Sequence, residues 1–127
     1  MKQALLLDDD TAQLTVRELV LRLAQVETHV ATRAQSALAF LRSAPGKEKI
    51  GVVITDHFMP DMDGVAFVRE LRTFNPEVPV IVISGLPDAE HEYADLSVIF
   101  RTKPCDPEEL ICLVRKALSD PKCRASA

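Results

Sequence analysis

The sequence predicts a single α/β domain in which five parallel strands alternate with helices, giving a doubly wound sheet with helices on both faces. Two observations favour this class. Short apolar runs rich in β-branched residues recur along the chain, and longer amphipathic stretches separate them. Continuous apolar runs are typical of parallel strands that are buried on both faces. Regular alternation of strand and helix indicates a doubly wound sheet with right-handed crossovers.

The predicted strands are the five short apolar runs of the chain. Each is about as long as an ordinary strand and is followed by polar or turn-forming residues. In chain order they run from Ala4 to Leu7, Thr28 to Ala31, Ile50 to Thr55, Val78 to Ser84 and Val98 to Arg101.

Four of the intervening segments carry apolar residues at helical spacing. The inward faces are predicted from this spacing. They comprise Leu14, Val16, Leu19, Val20 and Leu23 in the first helix, Ala37, Leu38 and Leu41 in the second, Val65, Val68 and Leu71 in the third, and Leu110, Leu113, Val114 and Leu118 in the last.

The last helix has the clearest start signal. Asp106 is a good N-cap, Pro107 follows at the first helical position, and Glu109 stands three residues after the cap. The segment from Leu86 to Leu96 is shorter and allows only about two or three helical turns. We therefore predict a short fourth helix between the fourth and fifth strands.

Size and composition fit one globular domain. The chain has 127 residues, of which 47% are hydrophobic and 27% are charged, which is enough for one sizeable core. The net charge is −4 and no basic stripe is present, so direct binding of nucleic acid is not expected.

Neither a membrane nor an oxidising compartment is indicated. The chain begins with only three consecutive leucines, which is far too short for a signal peptide or a membrane span. Three cysteines, an odd number without a Cys-x-x-Cys pair, predict neither a disulfide framework nor a zinc site. We expect a cytoplasmic protein.

Acidic residues follow two of the predicted strands. Asp8, Asp9 and Asp10 come after the first strand, and Asp56 comes after the third. Ligands of open parallel sheets bind outside the carboxyl ends of the strands, so these carboxylates should converge. Clustered carboxylates repel one another unless a cation joins them, and oxygen ligands suit Mg²⁺.

A hydroxyl, Ser84, lies at the end of the fourth strand, and an amine, Lys103, comes just after the fifth. Mg²⁺ keeps several waters and takes one or two carboxylates, which leaves room for a phosphoryl oxygen. The set fits attack of a carboxylate on phosphorus, with positioning and electrostatics supplying most of the rate.

These features lie in separate motifs with a fixed order along the chain. With these motifs, the chain resembles the receiver domain of two-component response regulators from about Gln3 to Leu118. The resemblance implies the flavodoxin-like strand order 2-1-3-4-5. The motifs are Leu7-Asp8-Asp9-Asp10, Asp56 with Met59-Pro60 and Asp63-Gly64, Ser84-Gly85, and Phe100-Arg101-Thr102-Lys103-Pro104.

The resemblance implies a phosphoryl acceptor and a metal site. Asp56 would take a phosphoryl group from a sensor histidine kinase or a histidine phosphotransfer protein. Asp9 and Asp56 would bind Mg²⁺ directly, together with the backbone carbonyl of Phe58. Asp8 would act mainly through water.

The resemblance also implies a switch. Lys103 would pair with Asp56 or with the phosphoryl oxygens, and Ser84 would hydrogen-bond the phosphoryl group once it is present. Phe100 matches the aromatic switch position of the family, and the Lys103–Pro104 peptide bond is expected to be cis. The chain would be a signalling module and not an enzyme.

Some features depart from the common pattern. The interval between Ser84 and Lys103 is short for the family, so the surface around the fourth helix is expected to be trimmed and the usual homodimer is not assumed. Phe58 and Leu86 flank the site as apolar side chains and are expected to hinder the water that hydrolyses the acyl phosphate. His57 is interpreted as a structural or exposed residue and not as a metal ligand, because successive strand residues point to opposite faces.

The domain is expected to cover residues 1–120, with residues 121–127 as a flexible C-terminal tail. The initial methionine and the tail favour a stand-alone domain. The sequence does not identify a downstream effector.

Two other functions are compatible with parts of the sequence. In a haloacid-dehalogenase-like phosphatase, Asp8 and Asp10 would be nucleophile and acid, but Thr11 falls one position early and Asp56 is left unexplained. A receiver-like interaction module that never takes phosphate is the other alternative. The intact Asp9, Asp56 and Lys103 argue against it.

Overall fold

A computed structural model of the chain describes residues 2–119, which form a five-stranded parallel sheet flanked by helices. The sheet order is β2-β1-β3-β4-β5, so the predicted fold class and strand order are confirmed. The predicted tail, residues 121–127, lies outside the described residues. The strands are β1 (Gln3–Leu7), β2 (Thr28–Ala31), β3 (Ile50–Asp56), β4 (Val80–Ser84) and β5 (Val98–Thr102).

Helices cover both faces of the sheet, as the continuous apolar strands require. The helices are α1 (Thr11–Leu23), α2 (Ala34–Arg42), α3 (Ala44–Lys49), α4 (Gly64–Phe74) and α5 (Pro107–Ser119), with a 3₁₀ helix (Pro87–Tyr93) between β4 and β5. Within residues 2–119, no helix has both the length and the apolar character that a membrane span needs.

The core is divided in two by the sheet. Along β1, Leu5 and Leu7 pack with the buried residues of α2 and α4, whereas Ala4 and Leu6 pack with those of α1 and α5. This division follows from the alternation of side chains across a strand. It places α1 and α5 side by side on one face.

The register brings the carboxyl ends of four strands to one edge of the sheet. Leu7 of β1 is paired with Thr55 of β3, and Ser84 of β4 is paired with Thr102 of β5. The residues that follow these positions therefore lie at a common edge. This is the edge at which a parallel sheet binds its ligands.

The inward face of α1 differs from the prediction. Leu14 and Leu21 are buried, whereas Val16, Leu19 and Leu23 are 60%, 54% and 77% exposed. The helix carries apolar residues on two sides, and only the side with Leu14 and Leu21 contacts the sheet. Periodicity alone could not distinguish the two sides.

The segment after β4 is short, as predicted, but its helix is of the 3₁₀ type. A 3₁₀ helix rises about 2.0 Å per residue, against about 1.5 Å in an α-helix, so it spans the gap with fewer residues. Ala89 and Tyr93 from this helix are buried. At the other end of β4, the strand begins at Val80 and not at Val78, because Pro79 has no N–H to donate to the sheet.

Helix α3 was not predicted from the sequence. The Ser43 hydroxyl accepts a hydrogen bond from the N–H of Gly46, and Pro45 lies in the first turn. A β-carbon at Gly46 would overlap the carbonyl of Phe40. Glycine at position 46 lets α3 pack directly against the end of α2. This close approach leaves no periodic pattern of apolar residues in the sequence, so α3 could not be predicted from periodicity.

Candidate functional site

Asp56 and Lys103 form the centre of the site. Asp56 is the last residue of β3 and is 5% exposed, and Lys103 follows β5. The Lys103 Nζ donates to Asp56 Oδ2 at 2.8 Å, and the backbone N–H of His57 donates to Asp56 Oδ1 at 2.9 Å. Both oxygens of the carboxylate are thus held in place, and the ion pair spans the intervening strand β4.

Ser84 connects the ends of β4 and β5. Its carbonyl accepts the N–H of Lys103 at 2.7 Å, and its side chain is fully buried. The hydroxyl accepts a hydrogen bond from the N–H of Leu86 at 2.9 Å. The Lys103–Pro104 peptide bond is cis, as the resemblance implied.

Asp8 is the most buried of the three acids that follow β1, with no exposed surface. Its Oδ1 accepts the N–H of Asp10 at 2.9 Å, and its Oδ2 accepts a hydrogen bond from the Arg17 guanidinium at 3.1 Å. Arg17 was not predicted from the sequence. The available signal was its spacing, because it lies three residues after Leu14 and four before Leu21, on the buried side of α1.

Burial raises the pKa of the Asp8 carboxyl. The nearby negative charge of Asp56 raises it further, and the hydrogen bond from Asp10 and the positive charges of Arg17 and Lys103 act in the opposite direction. Burial is the largest of these effects. The ionised form of the Asp8 carboxyl is therefore less favourable in the folded protein than in the unfolded chain.

Asp9 and Asp10 are exposed. Asp10 is the N-cap of α1, and its Oδ1 accepts the N–H groups of Ala12 at 3.0 Å and Gln13 at 3.3 Å. These hydrogen bonds, first that from Gln13, lower the pKa of Asp10. Within residues 2–119, the carboxylate of Asp9 has no hydrogen-bond or ion-pair partner.

The donor set fits a magnesium ion bound by few protein ligands. In the described part of the chain, no three His, Cys, Asp or Glu side chains come together as a complete metal cluster. Mg²⁺ does not need one, because it is usually held by one or two carboxylates and keeps several waters. The exposed Asp9, the carboxylate of Asp56 and the backbone carbonyl of Phe58 are oxygen donors of the required kind.

His57 turns away from Asp56 and joins the 3₁₀ helix. It is 6% exposed, and its Nδ1 lies 2.7 Å from the hydroxyl of Tyr93. Burial raises the pKa of Tyr93, so the phenol is a neutral hydrogen-bonding group. The structure thus places His57 in a buried polar pair, in line with the structural interpretation.

Two further contacts fix this region. The ring of Tyr93 lies 5.8 Å from that of Phe100, which is 9% exposed. A β-carbon at Gly64, the first residue of α4, would stand too close to the Tyr93 hydroxyl and the Asp56 carbonyl. A glycine at this position allows α4 to begin directly behind Asp56.

Apolar side chains border the opening of the site. Phe58 is 62% exposed and Leu86 is 46% exposed. They follow β3 and β4, so they lie at the same edge of the sheet as Asp56. Both side chains are too exposed to belong to the hydrophobic core.

Comparison with known proteins agrees with this arrangement. The family described as the response regulator receiver domain matches residues 4–115. The chain belongs to this family and is a receiver domain of two-component signal transduction. The resemblance inferred from the sequence motifs is confirmed.

Individual relatives support the same assignment. The chain is 33% identical to the response regulator protein TodT of Pseudomonas putida, over 89% of this chain and 49% of that protein. It is 32% identical to the DNA-binding transcriptional regulator NtrC of a Bradyrhizobium species, over 97% of this chain and 25% of that protein. The chain thus spans a quarter to a half of the length of these relatives.

Solved structures share the fold. A CheY-like receiver domain protein of Methanospirillum hungatei superposes with a TM-score of 0.86 at 22% identity, covering 97% of this chain and 98% of that one. At this level of identity, the likeness concerns the fold.

The raised pKa of Asp8 predicts a pH-dependent effect of Asp8→Asn in buffer containing a chelator. Because the folded-state pKa lies above the ordinary value of 3.8, the folded protein binds this proton more readily than the unfolded chain. Ionisation of Asp8 then lowers stability as the pH rises through the interval above 3.8. We expect Asp8→Asn and wild type to have similar free energies of unfolding at acid pH, and the variant to become the more stable at neutral pH.

Urea unfolding at several pH values measures this difference. Asp61→Asn, which removes an exposed carboxylate from the loop after β3, is the matched control and should run parallel to wild type. A constant offset between Asp8→Asn and wild type at all pH values would contradict the interpretation.

Proposed function

We propose that Asp56 accepts a phosphoryl group in a two-component phosphorelay and that this modification switches the surface formed after β4. The observation that carries the proposal is the 2.8 Å contact of Lys103 with Asp56 at the carboxyl end of β3, in a chain of the receiver family. The donor would be a phosphohistidine on a sensor histidine kinase or a histidine phosphotransfer protein.

The transfer exchanges one bond to phosphorus for another. A carboxylate oxygen of Asp56 forms the new P–O bond, the P–N bond to the donor imidazole breaks, and the imidazole leaves with the bonding electron pair. Mg²⁺, held by Asp9, Asp56 and the carbonyl of Phe58, would neutralise charge on the phosphoryl oxygens. Lys103 supplies a fixed positive charge beside the reacting oxygens, where preorganised charge is most effective.

The switch would begin at Ser84. Its hydroxyl donates to the Leu86 carbonyl at 3.4 Å and accepts the Leu86 N–H at 2.9 Å, but an aspartyl phosphate adds acceptor oxygens and negative charge next to Asp56. Because a serine hydroxyl has only one hydrogen to donate, a hydrogen bond to a phosphoryl oxygen would replace the one to the Leu86 carbonyl. Leu86 leads directly into the 3₁₀ helix, whose Tyr93 packs on Phe100, so a local change at the site reaches the surface between β4 and β5.

Helix α1 of this chain offers a surface on which the phosphohistidine donor can bind. Val16, Leu19 and Leu23 are exposed and recur at helical spacing, and Val16 borders an apolar groove that also includes Lys103 and Pro104. An apolar stripe next to the acceptor can hold a helical partner while its phosphohistidine reaches Asp56. The overall charge of −4 gives no support to a nucleic-acid partner of this domain.

The alternative of a haloacid-dehalogenase-like phosphatase has less support. In that function, Asp8 would be the nucleophile and Asp10 the acid. The oxygens of Asp8 are engaged by Arg17 and by the N–H of Asp10, and Asp10 caps α1. The other alternative, a module that never takes phosphate, assigns no function to the ion pair between Lys103 and Asp56.

The acceptor is tested by incubating the protein with acetyl phosphate and Mg²⁺ and measuring its intact mass. Wild type should gain the mass of one phosphoryl group, because Asp56 is the carboxylate placed beside Lys103. Asp56→Asn should gain none, and Asp61→Asn, with its exposed loop carboxylate, should behave as wild type. Equal uptake by Asp56→Asn and wild type would refute the assignment.

The apolar border predicts a long-lived phosphoryl state. Phe58 and Leu86 limit the approach of water to the acyl phosphate, so Phe58→Asn should shorten its half-life severalfold. The decay is followed by intact mass after removal of the donor. Leu23→Asn replaces another exposed apolar residue, on α1, and should leave the rate unchanged; a faster decay in wild type than in Phe58→Asn would be the opposite of this expectation.

A further inference from the structure

Arg17 is a largely buried cation that the phosphoryl-transfer scheme does not use. Its side chain is 12% exposed, and it lies between Leu14 and Leu21 on the side of α1 that faces the sheet. One terminal nitrogen contacts Asp8 Oδ2 at 3.1 Å, and the other donates to Gln13 Oε1 at 3.0 Å. The guanidinium is therefore held in one orientation, pointed at the acidic cluster.

The contact takes up the free side of the Asp8 carboxylate. Asp8 Oδ1 accepts the N–H of Asp10, and Oδ2 accepts a hydrogen bond from Arg17, so both oxygens of this carboxylate have a partner within the protein. The formal charge of the side chains Asp8, Asp9, Asp56, Lys103 and Arg17 together is −1. Without Arg17 the same group would carry −2, and it would attract a divalent cation more strongly.

We propose that Arg17 is an internal counter-cation of the metal site, which competes with Mg²⁺ for the negative charge of Asp8 and sets the affinity of the site for the ion. The proposal rests on the Mg²⁺ site of the proposed function. Arg17 is a positioning residue and makes no contact with the phosphoryl group. It keeps the acidic cluster stable when the ion is absent and weakens the ion's binding when it is present.

Both effects follow from one interaction. A buried carboxylate that loses its charged partner is strongly destabilised, so the cluster needs Arg17 in the absence of a metal. A divalent cation that enters beside a fixed guanidinium meets repulsion that is weakly screened at a buried position. The same ion pair is thus stabilising before metal binding and unfavourable after it.

A comparison of four proteins distinguishes the effect of the Arg17 charge from that of the Asp8 charge. They are wild type, Arg17→Met, Asp8→Asn and the double variant Asp8→Asn/Arg17→Met. Methionine keeps an apolar side chain of similar reach among Leu14 and Leu21, and the double variant contains no unpaired buried charge, so it remains folded even if Arg17→Met does not. Arg22→Met is the control, because Arg22 lies on the same helix and pairs with Glu18 away from the site.

Mg²⁺ alone is the probe, and binding is measured from amide chemical shifts in a titration at constant ionic strength. Arg17→Met should bind Mg²⁺ about tenfold more tightly than wild type, and the double variant about tenfold more tightly than Asp8→Asn. Wild type and the double variant, which have the same formal charge, should bind similarly. Arg22→Met should match wild type.

Thermal unfolding gives a second readout. In chelator, Arg17→Met should unfold at a lower temperature than wild type, and saturating Mg²⁺ should raise its midpoint by more than it raises that of wild type, because ligand stabilisation grows with affinity. Asp8→Asn/Arg17→Met should not show the low midpoint in chelator.

The outcomes distinguish this proposal from the proposed function. One outcome would overturn only this proposal. If wild type binds Mg²⁺, but Arg17→Met binds it as tightly as wild type and the double variant binds it as tightly as Asp8→Asn, then the ion pair is only structural. The proposal is then wrong, while the proposed function stands. If neither wild type nor Arg17→Met binds Mg²⁺ at millimolar concentrations, the metal site of the proposed function fails, and this proposal fails with it.

Discussion

The contact between Lys103 and Asp56 is the interaction around which the site is arranged. It joins the carboxyl ends of β3 and β5, two strands that do not touch each other because β4 lies between them. The ion pair forms at the carboxyl edge of the sheet, the edge at which parallel sheets bind their ligands. Ser84, at the end of the intervening strand, holds the backbone of Lys103 in position.

The carboxyl edge of the sheet also brings several carboxylates together, which lowers the stability of the folded protein. Burial raises the pKa of Asp8, which shows that the fold holds this carboxylate ionised only unfavourably. Arg17 and Lys103 offset part of the repulsion with charges that are always present. Under the proposed function, Mg²⁺ and a phosphoryl group bind where Arg17 and Lys103 already offset part of the negative charge. A substitution of Arg17 or Lys103 therefore changes both the stability of the protein and its binding of these groups.

The sequence predicts what depends on the local pattern and misses what depends on packing between distant segments. The strands, their order and the capped start of α5 follow from apolar runs, the family motifs and cap residues. The inward side of α1 does not, because both sides of that helix carry apolar residues and only one contacts the sheet. Tyr93 was missed because its partner His57 lies 36 residues away along the chain, whereas Arg17, nine residues from Asp8, was marked only by its spacing on the buried side of α1.

Under the proposed function, phosphorylation of Asp56 draws in the Ser84 hydroxyl. A crystal structure of the protein with Mg²⁺ and beryllofluoride, which imitates the phosphoryl group, tests this switch. We expect a beryllofluoride adduct on Asp56, with the Lys103 amine and the Ser84 hydroxyl both hydrogen-bonded to fluorine and the hydrogen bond from Ser84 to the Leu86 carbonyl lost. An adduct on another carboxylate, or an adduct on Asp56 with the Ser84 hydroxyl still donating to the Leu86 carbonyl, would refute the proposal.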